Sequence, residues 1–209
     1  MTFEHWLAFA ATSALIVAVP GPTVLMIISY ALGHGKRAAF AIVAGVGLGD
    51  LTAMTVSMLG LGALLAASAM AFTAVKWAGA AYLVYLGVKL WRAPVDLAMD
   101  VAPPPEWSRR RIFAHAYVAA TLNPKGIVFY VAFFPQFLIA GEPLLEQMMV
   151  FEATFVVLAT LNALAYALLA SSLRQAIRRP SVQRAVNRTS GTLLILAGAA
   201  TALWRRAPA

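Results

Sequence analysis

Long apolar runs fill this chain, and short polar or basic stretches punctuate them. Read as helices, the runs predict six spans, at about 5–31, 38–65, 70–91, 112–138, 146–172 and 188–204. The last is the shortest: Thr189 to Leu203 is its apolar part, and Trp204, Arg205 and Arg206 mark its end. Trp6, Trp77, Trp91 and Trp204 fall near predicted ends, where an interfacial aromatic belt belongs. The expected fold is all-α, a polytopic helical membrane protein.

Two spans are interrupted. Val19-Pro20-Gly21-Pro22 sits inside span 1, and Leu122-Asn123-Pro124-Lys125 sits in the middle of span 4. Proline lacks an N–H and clashes with the preceding turn, so neither stretch continues a regular helix. Broken backbone survives in hydrocarbon only where protein buries it or where it lines a polar cavity. Both breaks also carry helix-start chemistry. Asn is a good N-cap and proline suits the first helical position, so Asn123-Pro124 reads as a helix beginning at mid-membrane. Gly21-Pro22 is a weaker version of the same signal. Each second half-helix would turn unpaired N–H groups and a positive dipole end towards the bilayer interior. A packed proline kink explains either break alone; their matching positions favour a site for a carboxylate.

The longest connection runs from Ala93 to Arg111 and contains Pro103-Pro104-Pro105. It reads as a cytoplasmic linker, 93–111, between three-span halves at 1–92 and 112–209 of one transporter domain. Three is odd, so the second half enters the membrane in the opposite sense, the inverted-repeat arrangement of many transporters. Rocking of one half against the other would give alternating access.

Composition agrees with a membrane protein. The chain of 209 residues is 62% hydrophobic and 11% charged, with a mean hydropathy of +0.80; a soluble domain carries about 25% charged residues. The net charge of +8 is read as basic loops that set orientation, not as a nucleic-acid surface. Twelve of the basic residues, from Lys36 and Arg37 to Arg184 and Arg188, fall on one side. The positive-inside rule makes that side cytoplasmic and puts both termini outside. A five-span alternative would bring one end inside, and Arg205 and Arg206 lean that way. The absence of cysteine excludes thiol redox chemistry and cysteine metal sites. His5, His34 and His115 are too scattered for a metal centre, and no cofactor is implied. Without a basic n-region, the N-terminus is a poor signal peptide.

Deep polar residues then stand out. Asp50 follows Gly45-Val46-Gly47-Leu48-Gly49 near the middle of span 2; an Asp there costs about 2.5–3.5 kcal/mol on insertion scales. It either binds an ammonium group, carries a coupling proton, or pairs with Lys125, the other deep charge. Lys76 lies about one turn inside span 3, where a functional role and snorkelling to the surface are equally open. Asn162, near the centre of span 5, is the counterpart of Asp50 in depth, although buried amides often only bridge helices. Ala41, Gly45 and Gly49 form a small-residue face for close helix packing. Such faces serve within and between protomers alike, which leaves a homodimer open.

These residues resemble the LysE/RhtB family of bacterial amino-acid exporters over nearly the whole chain. The likeness rests on Val19-Pro20-Gly21-Pro22, the glycine-rich stretch ending in Asp50, Lys76-Trp77-Ala78-Gly79-Ala80-Ala81-Tyr82-Leu83 with Gly87, and Asn123-Pro124-Lys125 followed by Phe133-Phe134-Pro135-Gln136-Phe137. By that resemblance Pro20, Gly21, Pro22, Asp50, Lys76, Asn123, Pro124 and Lys125 are motif positions. The resemblance implies efflux of amino acids such as homoserine, threonine, lysine or leucine, driven by the proton gradient, across the inner membrane of a bacterium. The residues themselves fit a secondary transporter whose partners are a small amino acid, protons and the bilayer. An ion permease would want more carboxylates, histidines or thiolates. A membrane enzyme would want a deep catalytic set, and none is visible.

Overall fold

The computed structural model describes residues 2–18, 21–94, 107–139, 141–170 and 179–203. Within them every regular element is helical. The elements are α1 (Phe3–Ala18), α2 (Pro22–Ala67), α3 (Ala69–Trp91), α4 (Arg109–Thr121), α5 (Pro124–Val128), α6 (Leu144–Leu168) and α7 (Pro180–Leu203). A π-helical turn, Phe129–Phe133, and a 3₁₀ turn, Phe134–Phe137, continue directly from α5. Among the described residues, three helices are long and apolar enough to cross a membrane, or four if α1 and the first arm of α2 make one bent span. Large apolar side chains cover the outside, Phe40, Val56, Leu59 and Leu161 among them. Such a surface belongs in lipid.

The local sequence sets the ends. α1 stops at Ala18, two residues before Pro20, and α2 opens on Pro22. Ser68 and Ser108 cap α3 and α4 by accepting from the backbone N–H of Ala71 and Arg111. α7 begins at Pro180, eight residues ahead of the expected start at 188, because proline at a first helical position needs no N–H partner. Trp204, Arg205, Arg206, most of the 93–111 linker, Arg174 and Arg178 lie outside the described residues.

α2 departs from expectation in one respect. The loop expected at Lys36 and Arg37 has helical backbone, and the helix is continuous for 46 residues. Straight, it would be about 69 Å long, more than twice the bilayer core. Its contacts exclude a straight rod. Thr23 meets Asn123 and His34 meets Trp107, so Thr23–His34 runs antiparallel to α4. Gly45 meets Phe113 and Gly49 meets Tyr117, so Ala39–Ala63 runs parallel to it. The chain therefore doubles back between the two arms, where the sequence puts its basic pair.

The remaining directions follow from similar pairs. α1 runs parallel to α6, from Trp6 beside Thr154 to Ala18 beside Tyr166. The second arm of α2 is antiparallel to α6, with Gly47 against Thr160 and Thr55 bonded to Glu152. α3 and α7 pack antiparallel and backbone to backbone. A Cβ on Gly87 would stand 2.6 Å from the Gly191 carbonyl oxygen, and one on Gly191 would stand 2.5 Å from that of Gly87. Gly79 on the same helix lies against Ala132 of the π turn.

Two cores result. One is aromatic, with Phe9, Phe134, Phe137 and Phe151 around one another in edge-to-face and tilted pairs. The other joins both arms of α2 to α4 and α6 through Ile27, Ile42, Val46, Ala116 and Ala163.

Candidate functional site

The prolines of the first break leave α1 with carbonyls it cannot bond itself. In a continued helix the carbonyls of Ile16 and Ala18 would accept from residues 20 and 22, both prolines without an N–H. Side chains from across the fold take their place. Lys125 Nζ donates to the Ile16 carbonyl at 3.1 Å, Asn162 Nδ2 to that of Val17 at 3.1 Å, and the Tyr166 hydroxyl to that of Ala18 at 2.9 Å. α1 and the first arm of α2 meet at 58°.

The second break is built by Asn123. Its side-chain oxygen accepts from the backbone N–H of Lys125 at 3.1 Å, so it caps α5, with Pro124 at the first helical position. Its side-chain amide donates to Thr23 Oγ1 at 3.2 Å, on the second residue of α2. The two helix starts therefore meet.

They border a cavity of about 80 Å³. Gly21, Thr23, Asp50, Asn123, Lys125, Tyr130 and Asn162 are among its lining residues. Asp50 reaches it because the glycines before it let α2 approach its neighbours. A Cβ on Gly45 or Gly49 would lie 2.6 Å from the carbonyl oxygen of Phe113 or Tyr117 on α4, and one on Gly47 would lie 2.8 Å from Thr160 Oγ1 on α6. The Tyr130 hydroxyl donates to Asp50 Oδ1 at 3.3 Å. Tyr130 stands on the π turn, its ring packed on Phe155; such turns are frequent at functional sites.

A second space, a vestibule of about 520 Å³, adjoins the first. Gly21, Thr23, Asn123 and Lys125 line both. Its outer walls come from α3, α4 and α7, and Lys89, Ala93 and His115 stand farthest from the cavity. These residues lie towards the basic loops. At the opposite end, the aromatic core fills the space between α1, α6 and the 3₁₀ turn.

Of the residues singled out in the sequence, Gly21, Asp50, Asn123, Lys125 and Asn162 line the cavity. Pro124 lines the vestibule and Pro22 opens α2. Lys76 lies on α3, among the lining residues of neither space. Pro20 lies outside the described residues. The sequence reading passed over Thr23, Tyr130 and Tyr166. Thr23 carried a signal, being the first hydroxyl after the proline break. Tyr130 carried none, because its direction is set by a π turn.

The LysE type translocator model matches residues 14–203 of the chain. A homoserine/homoserine lactone efflux protein of Salmonella typhimurium is 37% identical over 207 residues, covering 99% of this chain and 100% of the relative. An uncharacterized membrane protein of Vibrio cholerae is 33% identical over 198 residues, 95% of this chain and 96% of its own length. A leucine efflux protein of Salmonella choleraesuis is 31% identical over 140 residues, 67% of this chain and 66% of its own length. No solved structure matches the chain.

Proposed function

The chain belongs to the LysE type translocator family of multi-pass membrane proteins, and on that premise we propose that it exports small amino acids from the cytoplasm of a bacterium, across the inner membrane, by proton antiport. The observation that carries this reading is the meeting of the α2 and α5 starts, through Thr23 and Asn123, at a cavity that the carboxylate-bearing Asp50 also lines. A zwitterion needs two partners of opposite sign. The amino acid's carboxylate would take the N–H groups and positive ends at Pro22 and Pro124, with Lys125 beside it. Its ammonium would take Asp50. Proton and ammonium then compete for one carboxylate, which gives obligatory exchange.

The proposed membrane arrangement has six spans in two inverted repeats, 1–92 and 112–209, joined by the 93–111 linker. α1 with the first arm of α2 is span 1, the second arm is span 2, and α3 is span 3. The α4–α5 stretch, α6 and α7 are spans 4, 5 and 6. The contact directions support this order: spans 1 and 5 are parallel, and so are 2 and 4, while 1 and 4, 2 and 5, and 3 and 6 are antiparallel. The vestibule lies at the end of the basic loops, so the conformation reads as open to the cytoplasm.

Alternating access would come from the α3–α7 pair swinging against the other helices, not from rocking of sequence halves. The interlocked backbones of Gly87 and Gly191 favour a pair that moves as one body. The vestibule separates that pair from α2 and α4 at one end, while Gly79 meets the π turn towards the other.

The test is movement of labelled neutral and basic amino acids in proteoliposomes, with and without an imposed pH gradient, for the native chain and Asp50→Asn. Gradient-dependent movement lost in the variant is the expected result. Full-rate pumping by well-inserted Asp50→Asn would remove Asp50 from the mechanism.

A further inference from the structure

We infer that the vestibule is the subsite for the substrate's side chain, and that it selects uncharged, largely apolar side chains over cationic ones, with Lys89 as a specificity-determining residue. This rests on the transporter reading above. The cavity beside Asp50 holds about 80 Å³, well below the roughly 300 Å³ at which small-molecule pockets begin. It suits the charged head of an amino acid. The side chain then extends into the adjoining space, past Gly21, Thr23 and Asn123, which line both.

Beyond those residues the vestibule walls are carbon: Met26, Leu86, Leu90, Ala119, Leu122 and Leu194. Its ionisable lining groups are Lys125 at the inner end and Lys89 and His115 farther out. No carboxylate lines it among the described residues. Asp50 belongs to the cavity, where the ammonium of the head group takes it. A lysine or arginine side chain would carry a second positive charge between Lys125 and Lys89, along apolar walls that offer no anion to receive it. An aliphatic side chain, or one with a single hydroxyl, leaves water for carbon walls. The same walls hold no dense set of polar groups, so the subsite is tolerant in shape and strict in charge.

The experiment is counterflow of labelled leucine into proteoliposomes holding the full chain, with unlabelled leucine, homoserine, lysine and arginine as competitors. Leucine and homoserine should compete at concentrations at least tenfold below those of lysine and arginine. Lys89→Glu should lower the lysine-to-leucine ratio of half-inhibiting concentrations at least fivefold. Met26→Glu, on the α2 part of the lining, should move it the same way and guards against a folding defect in the first variant. Lysine competing as well as leucine in the native chain overturns the inference, and so does a ratio unmoved in both variants. Labelled homoserine and labelled lysine are run in the same way; lysine counterflow without leucine or homoserine counterflow overturns the inference, and counterflow of none of the three sinks the transporter reading, and the subsite with it.

Discussion

Asn123 donates its side-chain amide to the hydroxyl of Thr23 at 3.2 Å, joining two residues a hundred positions apart, each beside the first proline of a helix. The same Asn123 caps α5 through its other side-chain atom. One residue thus both starts the second half-helix and ties it to the first. Asn123→Ala should lose about 1–2 kcal/mol, from the cap and the cross-link together. Thr23→Val should lose about 1 kcal/mol, from the cross-link alone. Thermal unfolding in detergent, combined with the double variant, checks this. Simple additivity of the two losses would mean that the contact contributes nothing.

The end of α1 makes a separate prediction. Asn162→Leu and Tyr166→Phe each leave a carbonyl of the broken turn without its donor, at a cost of about 1–3 kcal/mol. Asn162 also lines the cavity. Half-saturation of transport separates its two roles. A rise in KM for Asn162→Leu with none for Tyr166→Phe marks Asn162 as a substrate contact; equal behaviour of the pair marks both as backbone support.

How far the sequence reached follows from where each signal came from. Both breaks were legible because proline and asparagine act locally: the missing N–H and the N-cap need no knowledge of neighbours. Asp50 was legible because a lone carboxylate in an apolar run is costly wherever it lies. The doubling back of α2 was half legible, since Lys36 and Arg37 marked the place while the backbone there stayed helical. The partners of the α1 carbonyls were not legible, because Lys125, Asn162 and Tyr166 arrive from elements more than a hundred residues away. Tyr130 was hidden for another reason. A π turn shifts the angular position of every later side chain, and no residue in Phe129–Phe133 announces it.

The glycines before Asp50 predict a graded series. Gly45→Val and Gly49→Val push branched side chains into α4 backbone at 2.6 Å, and each should cost at least about 1–3 kcal/mol. Gly60 faces open space on the same helix, with nothing within 4 Å of an added Cβ. Gly60→Ala should be neutral or gain a few tenths up to about 1 kcal/mol from helix propensity. Thermostability of the three variants in detergent checks the order. Tolerance of valine at Gly49 would mean that α2 and α4 do not pack this closely.

The absence of cysteine makes the moving unit directly measurable, since any introduced thiol is the only one. Spin labels on Ala93→Cys with His115→Cys span the vestibule, from just past the end of α3 to α4. Labels on Tyr85→Cys with Leu196→Cys sit on the exposed faces of α3 and α7. If the α3–α7 pair swings as one body, saturating substrate and an outward-directed proton gradient shorten the first distance and leave the second fixed. If sequence halves rock instead, α3 belongs to one half and α7 to the other, and the second distance must change. The close backbone packing of Gly87 and Gly191, which leaves no room for a Cβ on either, opposes that second motion, because moving one helix past the other would first require them to separate. A constant Tyr85–Leu196 distance alongside a closing Ala93–His115 distance is therefore the expected outcome.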